Sequence, residues 1–293
     1  MKRELDACTL IERSIIKEFR KKLWKPFIVA VKRYELIKEG DRIAVCISGG
    51  KDSMLMAKLM QELQRHSPVH FELKFLVMDP GYSPENRAAI EENARKLNIP
   101  ISVFETDVFE VANAAERHPC YLCARMRRGC LYSRAQAAGC DKIALGHHFN
   151  DVIETTVMGM FYGAQLQAML PKLHSKNFPG MEVIRPMYCI HEDDIIAWAE
   201  QNDLHFIRCA CLFTASNETC DTTSTRKDVK LLLRQLKQTT PDLEMNIFNA
   251  IHAASLDTMV GYKWKGQEHS FLEWYDGAKE PEILAACQPR EEA

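Results

Sequence analysis

Arg42–Ser53 reads RIAVCISGGKDS, and the rest of the chain is organised around it. Ile43–Ile47 is a short apolar run of the kind that forms a buried parallel strand, and it ends in Ser-Gly-Gly. Residues 52–64 follow as a helix, with Leu55, Leu59 and Leu63 four apart on one face. A glycine pair at such a junction lets the backbone approach an anion closely. The helix N-terminus adds free N–H groups and the positive end of a dipole. The expected ligand is therefore a phosphate. The spacing is not that of the longer Walker loop, nor of the dinucleotide fingerprint with its separated glycines.

Ser48-Gly49-Gly50-Lys51-Asp52-Ser53 resembles the SGGxDS loop of the PP-loop ATP pyrophosphatases, the adenine nucleotide alpha-hydrolase-like enzymes. The resemblance implies a chemistry in which ATP adenylates a carbonyl oxygen and pyrophosphate is released.

The 293 residues allow one large domain or a domain with a substantial appendage, and 46% apolar content is ordinary for a globular core. No apolar run approaches a membrane span, and Met1–Leu10 lacks the apolar centre of an export signal. A cytoplasmic protein without a membrane partner is expected. Eleven cysteines then argue for metal binding or catalysis over a disulfide framework. A net charge of −2 excludes a global polyelectrolyte signature but leaves room for local basic patches. One lies in residues 1–40, which hold 11 Lys/Arg against 6 Asp/Glu, with Arg20, Lys21, Lys22 and Lys25 close together. A solvated helix face and an RNA phosphate contact explain that cluster about equally well.

The segment Leu10–Lys38 has a helical apolar stripe that Pro26 is expected to break or kink. Further strands are expected at Phe71–Met78, Ile101–Phe104, Lys142–Leu145 and Val183–Pro186, with a short extended piece at Phe206–Cys211. Helices are expected over Glu85–Leu97, Asp151–Tyr162, His191–Asn202, Arg226–Gln238 and Glu244–Ala254, with a frayed tail from Lys279. This alternation predicts an α/β fold with a parallel sheet covered on both faces, Rossmann-like in class. Ligands then bind at the carboxyl ends of the strands, where Asp79 and the Gly146-His147-His148 turn also fall. The organisation read from the chain is a basic helical extension over 1–40, a catalytic domain over 41–211 and a helical extension over 212–293.

Cys120 and Cys123 form a CxxC pair at the start of an expected helix, where a helix N-terminus favours thiolates. Cys209, Cys211 and Cys220 follow downstream. Three readings remain open from spacing alone: a structural zinc site, an iron–sulfur cluster with one open iron, and a redox-active or merely buried set. Cys8, Cys46, Cys130, Cys140 and Cys189 read as core or incidental positions. Arg125, Arg127, Arg128 and Arg134 follow the CxxC closely and form a basic region suited to a nucleic-acid backbone.

The ordered blocks SGGKDS, CYLCARMRRGCLYSRA, DKIALGHHFNDVIETTVMGMFYG, PKL and VIRPMYC are similar to the tRNA 2-thiocytidine synthetases of the TtcA/TtuA family, from about Arg33 to Cys211. That resemblance implies thiolation of cytidine 32 in tRNA, with ATP, Mg2+ and a 4Fe-4S cluster as cofactors. The partners it implies are tRNA, a sulfur donor such as a cysteine desulfurase or sulfide, and often a second copy in a homodimer. Carried over by position, the cluster ligands are Cys120, Cys123 and either Cys209 or Cys211, with Cys209 preferred, because the family's second CxxC is shortened here to Cys209-Ala210-Cys211. Ser48, Gly49, Gly50, Lys51 and Ser53 would hold the β- and γ-phosphates, with Asp79 and Gly146 also in the nucleotide site. Asp52 and Asp151 would hold Mg2+, although an aspartate at either position also fits a helix cap. Arg127 would stabilise developing charge, and His147 and His148 would contact nucleotide or support their turn. The alternatives are 2-thiolation of a tRNA uridine, and a nucleotide- or RNA-binding module with a structural zinc.

Overall fold

The computed structural model describes residues 6–113, 119–207 and 225–275. Strand β1 (Arg42–Ile47) is buried from its second residue onward, and its side chains alternate between two apolar layers. Ile43, Val45 and Ile47 enter one core cluster, while Ala44 and Cys46 enter another on the opposite face. Such burial on both faces is what the unbroken apolar run required. The strand feeds α3 (Lys51–His66), whose Met54, Leu55, Met56, Ala57, Leu59 and Met60 are all fully buried.

The remaining elements alternate around this pair. They are β2 (Glu72–Asp79), α4 (Pro84–Lys96), β3 (Ile101–Glu105), α5 (Val108–Asn113), α6 (Pro119–Ala137), β4 (Lys142–Ala144) and α7 (Phe149–Gly163). Then come β5 (Lys172–His174), β6 (Glu182–Ile184), α8 (Glu192–Gln201) and, after residues outside the description, α9 (Thr225–Thr239). The six-stranded sheet has the order β3-β2-β1-β4-β6-β5. Five strands are parallel, and β5 runs antiparallel to β6 at the edge. The chain builds outward from β1 through β2 to β3, then crosses to β4 on the other side. This reversal leaves a crevice at the carboxyl ends of β1 and β4, where open α/β sheets bind ligands.

Several expectations need correction. The fifth strand covers Glu182–Ile184 and stops before Pro186, and its partner β5 was not anticipated. Three residues between turns carry too little periodicity to mark a strand. Leu204–Ile207 joins no strand, and the rest of the extended piece expected through Cys211 lies outside the described residues. At the N-terminus, α1 (Ala7–Ile16) gives way to a π-helical turn at Arg20–Trp24 and then α2 (Lys25–Arg33). The interruption thus precedes Pro26, which sits in the first turn of α2 where its missing N–H costs nothing. The frayed tail lies outside the described residues.

The chain divides into two compact units, Met1–Gln238 and Thr239–Ala293. The second contains α10 (Leu243–Ala250), shorter than expected, a hairpin of β7 (Gly261–Trp264) and β8 (Gln267–Ser270), and α11 (Leu272–Tyr275). The hairpin was not anticipated. It turns on Lys265-Gly266, both at positive φ, as a two-residue primed turn requires.

Candidate active site

The glycine loop is shaped by backbone conformation and by one serine. Gly49 has φ +84°, and a Cβ there would meet Ile90 at 2.5 Å, so both handedness and space demand glycine. Gly50 is extended and caps α3 without a side chain, which leaves the first-turn N–H groups of Lys51, Asp52 and Ser53 without helical partners. Ser53 Oγ donates to the Gly50 carbonyl at 3.0 Å and accepts from the Ser48 N–H at 3.1 Å, bracing the loop from inside. Asp52 is in the first helical turn and is not the cap.

Beside it, the turn after β4 packs backbone against backbone. A Cβ on Gly146 would lie 3.2 Å from the Ser53 nitrogen, so this turn and the glycine loop are in close contact. His148 caps α7 in a reciprocal box with Asp151: the His148 N–H donates to Asp151 Oδ2 at 3.0 Å, and the Asp151 N–H donates to His148 Nδ1 at 3.4 Å. Asp151 thus serves in a helix cap, and the His148 ring beside it reaches toward Asp52 of the loop. His147 is largely enclosed. Burial, opposed by Asp151 and reinforced by Arg185 and Arg226, lowers its pKa to about 4, so the ring is neutral near pH 7.

A charged network rings the loop. Lys51 Nζ lies 3.1 Å from Asp52 and 3.2 Å from Glu192. Burial opposes the charge on Lys51, but these two carboxylates outweigh it and raise the pKa. Burial would also raise Glu192; Lys230 and Lys51 override it and hold the carboxyl at about 2. Arg226 on α9 donates to Asp151 Oδ1 at 2.9 Å, Glu154 Oε2 at 3.0 Å and Thr155 Oγ1 at 3.1 Å. Glu192, Arg226 and Lys230 were missed in the sequence. They have no shared motif, and Glu192 reads as an ordinary acidic residue in the first turn of α8.

Asp52 Oδ1 is buried without a hydrogen-bond partner, and His148 Nε2 lies 3.9 Å from it and 3.5 Å from Asp151 Oδ2. An orphaned carboxylate oxygen beside a second carboxylate fits Mg2+, which takes one or two protein carboxylates and completes its shell with phosphate and water.

Asp79 is placed at a strand end as expected, but its carboxylate is occupied. Oδ1 accepts from the Gly81 and Tyr82 N–H groups at 2.9 and 2.7 Å, and Oδ2 pairs with Arg87 at 2.6 Å. Burial opposes these partners, yet they lower its pKa. The turn so formed directs Tyr82 Oη to the Ser48 carbonyl at 3.5 Å.

A cavity of about 370 Å³ opens under the glycine loop, on the α6 face of the sheet. Ser48, Asp52, Ser53, Gly146 and His147 line it together with Arg127, Arg128 and Tyr132 of α6. Cys46 and Met78 also line it. Cys120 and Cys123 fall in the first and second turns of α6, and Cys123 precedes the cavity-lining Arg127 by four residues, one helical turn. Cys209 and Cys211 lie outside the described residues. Among the described residues no three His, Cys, Asp or Glu side chains form a metal-holding group. Burial raises the thiol pKa of Cys46 to about 12 and also raises those of Cys8, Cys140 and Cys189. Among the described residues no helix is long and apolar enough to cross a membrane.

A family model described as the PP-loop domain matches residues 16–211. The tRNA-cytidine(32) 2-sulfurtransferase of Syntrophotalea carbinolica is 37% identical over 76% of this chain and 85% of its own length. The enzyme of the same name from Alcanivorax borkumensis is 36% identical over 82% of this chain and 83% of its own. In fold, the chain resembles the U34-tRNA thiolase NcsA from Methanococcus maripaludis, solved with its 4Fe-4S cluster. The TM-score is 0.62 at 22% identity, covering 82% of this chain and 78% of that one. Identity at this level, sustained over three quarters or more of each curated relative and of this chain, makes the protein a member of the PP-loop family, among the tRNA-cytidine(32) 2-sulfurtransferases.

Proposed function

We propose that the chain uses ATP to adenylate cytidine 32 of tRNA at O2 and replaces that oxygen with sulfur, giving 2-thiocytidine. The observation that carries this reading is the shared cavity: the glycine loop, Asp52 and Arg127 line it together, one helical turn from Cys123.

Ser48, Gly49, Gly50, Lys51 and Ser53 hold the β- and γ-phosphates, through the loop's N–H groups, the hydroxyls and the lysine charge. Asp52 and Asp151 would hold Mg2+, which would supply charge neutralisation for the departing pyrophosphate. Gly146 lets the second loop approach the nucleotide, and Asp79 contributes by fixing the turn that carries Tyr82. Attack of the cytosine O2 on the α-phosphorus expels pyrophosphate and leaves C2 electrophilic. Hydrosulfide then adds at C2 and AMP leaves with the original oxygen, the new thiocarbonyl giving up one proton; sulfur delivered as a persulfide is first reduced to this level by a thiol. Arg127, permanently charged, stabilises the negative charge that develops and acts as no base. Cys120, Cys123 and Cys209 would hold a 4Fe-4S cluster, which would supply an open iron for sulfur activation.

Transfer RNA meets this cavity along the basic surface of α6 and the exposed Arg20, Lys21, Lys22 and Lys25. Sulfur comes from a cysteine desulfurase or from sulfide, the enzyme works in the cytoplasm, and a second copy of the chain completes a homodimer. Catalysis belongs to residues 41–211, with 1–40 and 212–293 as extensions.

Mass spectrometry of tRNA nucleosides from cells lacking the protein tests the reading. The expected result is loss of 2-thiocytidine alone. Loss of a 2-thiouridine instead would move the target to a uridine, and unchanged thionucleosides would remove the tRNA assignment.

A further inference from the structure

Two chains of polar side chains run from α9 to the glycine loop. In the first, Arg226 holds Asp151 Oδ1 at 2.9 Å, and His148 lies between Asp151 and Asp52, at 3.5 and 3.9 Å. In the second, Lys230 pairs with Glu192, which pairs with Lys51 at 3.2 Å. Arg226 lies beyond residues 16–211, the span matched by the family model, so its role has to be read from the contacts.

Two oxygens stand out. Asp52 Oδ1 is buried and has no partner. Asp151 Oδ1 carries a guanidinium, while its sister oxygen accepts the His148 N–H at 3.0 Å. A cation that took both aspartates would meet Asp52 Oδ1 without a hydrogen bond, Asp151 Oδ1 covered by Arg226, and the His148 ring between them. The covering group is itself suited to the next ligand, because a planar guanidinium pairs with phosphate as readily as with carboxylate. Carboxylates beside an anion-binding loop also have the wrong sign for ATP until a cation arrives. Binding of metal and triphosphate then frees the arginine and provides it with a new anionic partner in the same step.

We propose that Arg226 is an exchangeable counter-ion of the nucleotide site. In the nucleotide-free protein it occupies the metal's place on Asp151, and Mg2+–ATP displaces it onto the triphosphate. This rests on the ATP reading given above. The exchange has a thermodynamic signature that a purely structural arginine lacks. Removing the guanidinium takes away a competitor for the cation and, at the same time, a contact to the phosphates. The two affinities must therefore move in opposite directions.

The test uses full-length, anaerobically prepared protein and the variants Arg226→Gln and Arg226→Lys. Manganese(II) alone is titrated and followed by the electron paramagnetic resonance of the unbound ion. Binding of α,β-methylene ATP with Mg2+ is followed by calorimetry, and circular dichroism checks folding. Arg226→Gln is expected to bind Mn2+ about tenfold more tightly and the ATP analogue about tenfold more weakly, the scale of one charge-assisted hydrogen bond. Arg226→Lys, with its charge kept but its fork lost, shows the same opposed shifts at smaller size. It carries the test alone if the glutamine variant does not fold. Shifts in the same direction, an unchanged ATP affinity, or equal Mn2+ binding by wild type and variants, none by either included, would overturn the exchange. A wild-type protein that fails to bind the ATP analogue would overturn the proposed function instead.

Discussion

Gly146 sits so close to the start of α3 that a Cβ would come within 3.2 Å of the Ser53 nitrogen and 3.3 Å of the Asp52 carbonyl carbon. The loops after β1 and β4 are therefore in backbone contact at the point where the sheet order reverses. The contact atoms are main chain, which cannot rotate aside as a flexible side chain can.

Gly146→Ala should consequently push the two loops apart by a few tenths of an ångström. The expected stability cost is about 1–2 kcal/mol by thermal denaturation. ATP affinity should fall about tenfold, because the displaced atoms belong to the first turn that meets the phosphates. An alanine variant with wild-type ATP affinity would show that the second loop does not position the first.

Lys58 is fully buried two turns along α3, paired with Glu12 at 2.7 Å and donating to the Leu97 carbonyl at 2.8 Å. Lys58→Met leaves these buried oxygens without their cation and should cost about 3 kcal/mol in urea unfolding. The folded fraction should still bind ATP, since the pair ties α1 to α3 away from the glycine loop. A neutral outcome would mean that α1 is not part of the folded core.

The neutral His147 gives a pH dependence with a definite sign. Its folded pKa of about 4 lies below the ordinary 6.5, so between these values the unfolded chain holds the extra proton. Its contribution to stability is present above pH 6.5 and is lost as pH falls toward 4. His147→Gln should flatten the slope of unfolding free energy against pH in that window, as measured by denaturant titrations at successive pH values. A slope identical to wild type would locate the proton uptake elsewhere.

Arg127 lines the cavity together with Asp52 and carries a fixed charge. Arg127→Ala should lower single-turnover thiolation about a hundredfold, while ATP affinity changes less than threefold. If instead the variant loses ATP binding with normal turnover at saturation, the guanidinium is a ground-state phosphate contact.

Cys209 and Cys211 differ by one residue in a segment outside the description, and iron analysis separates them. Cys209→Ala should lose iron and labile sulfide from anaerobically purified protein, and Cys211→Ala should retain both. The reverse pattern would move the third ligand to Cys211.

The central architecture was legible because its determinants are local. The apolar Ile43–Ile47 run, the glycine pair and the leucines of α3 each mark an element by short-range pattern, and the five parallel strands follow from their alternation with helices. Asp151 is expected in the site from its block. The capping box that it forms with His148, and the approach of that ring to Asp52, appear only in the structure. The arginine and lysine of α9 were not legible. Arg226 meets Asp151 across 75 positions, and nothing in the spacing of either residue announces the other. The π turn was missed for a related reason. Pro26 drew attention as the breaker, but a proline in the first turn of a helix is compatible with it.

The Cys46 thiol lines the cavity, and burial holds its pKa near 12. A thiolate there could capture transferable sulfur as a persulfide or draw iron away from its proper ligands. Kept protonated by its apolar strand, it does neither at physiological pH. Packing thus favours chemoselectivity: the sheet that shapes the pocket also keeps a thiol in its lining from acting as a nucleophile.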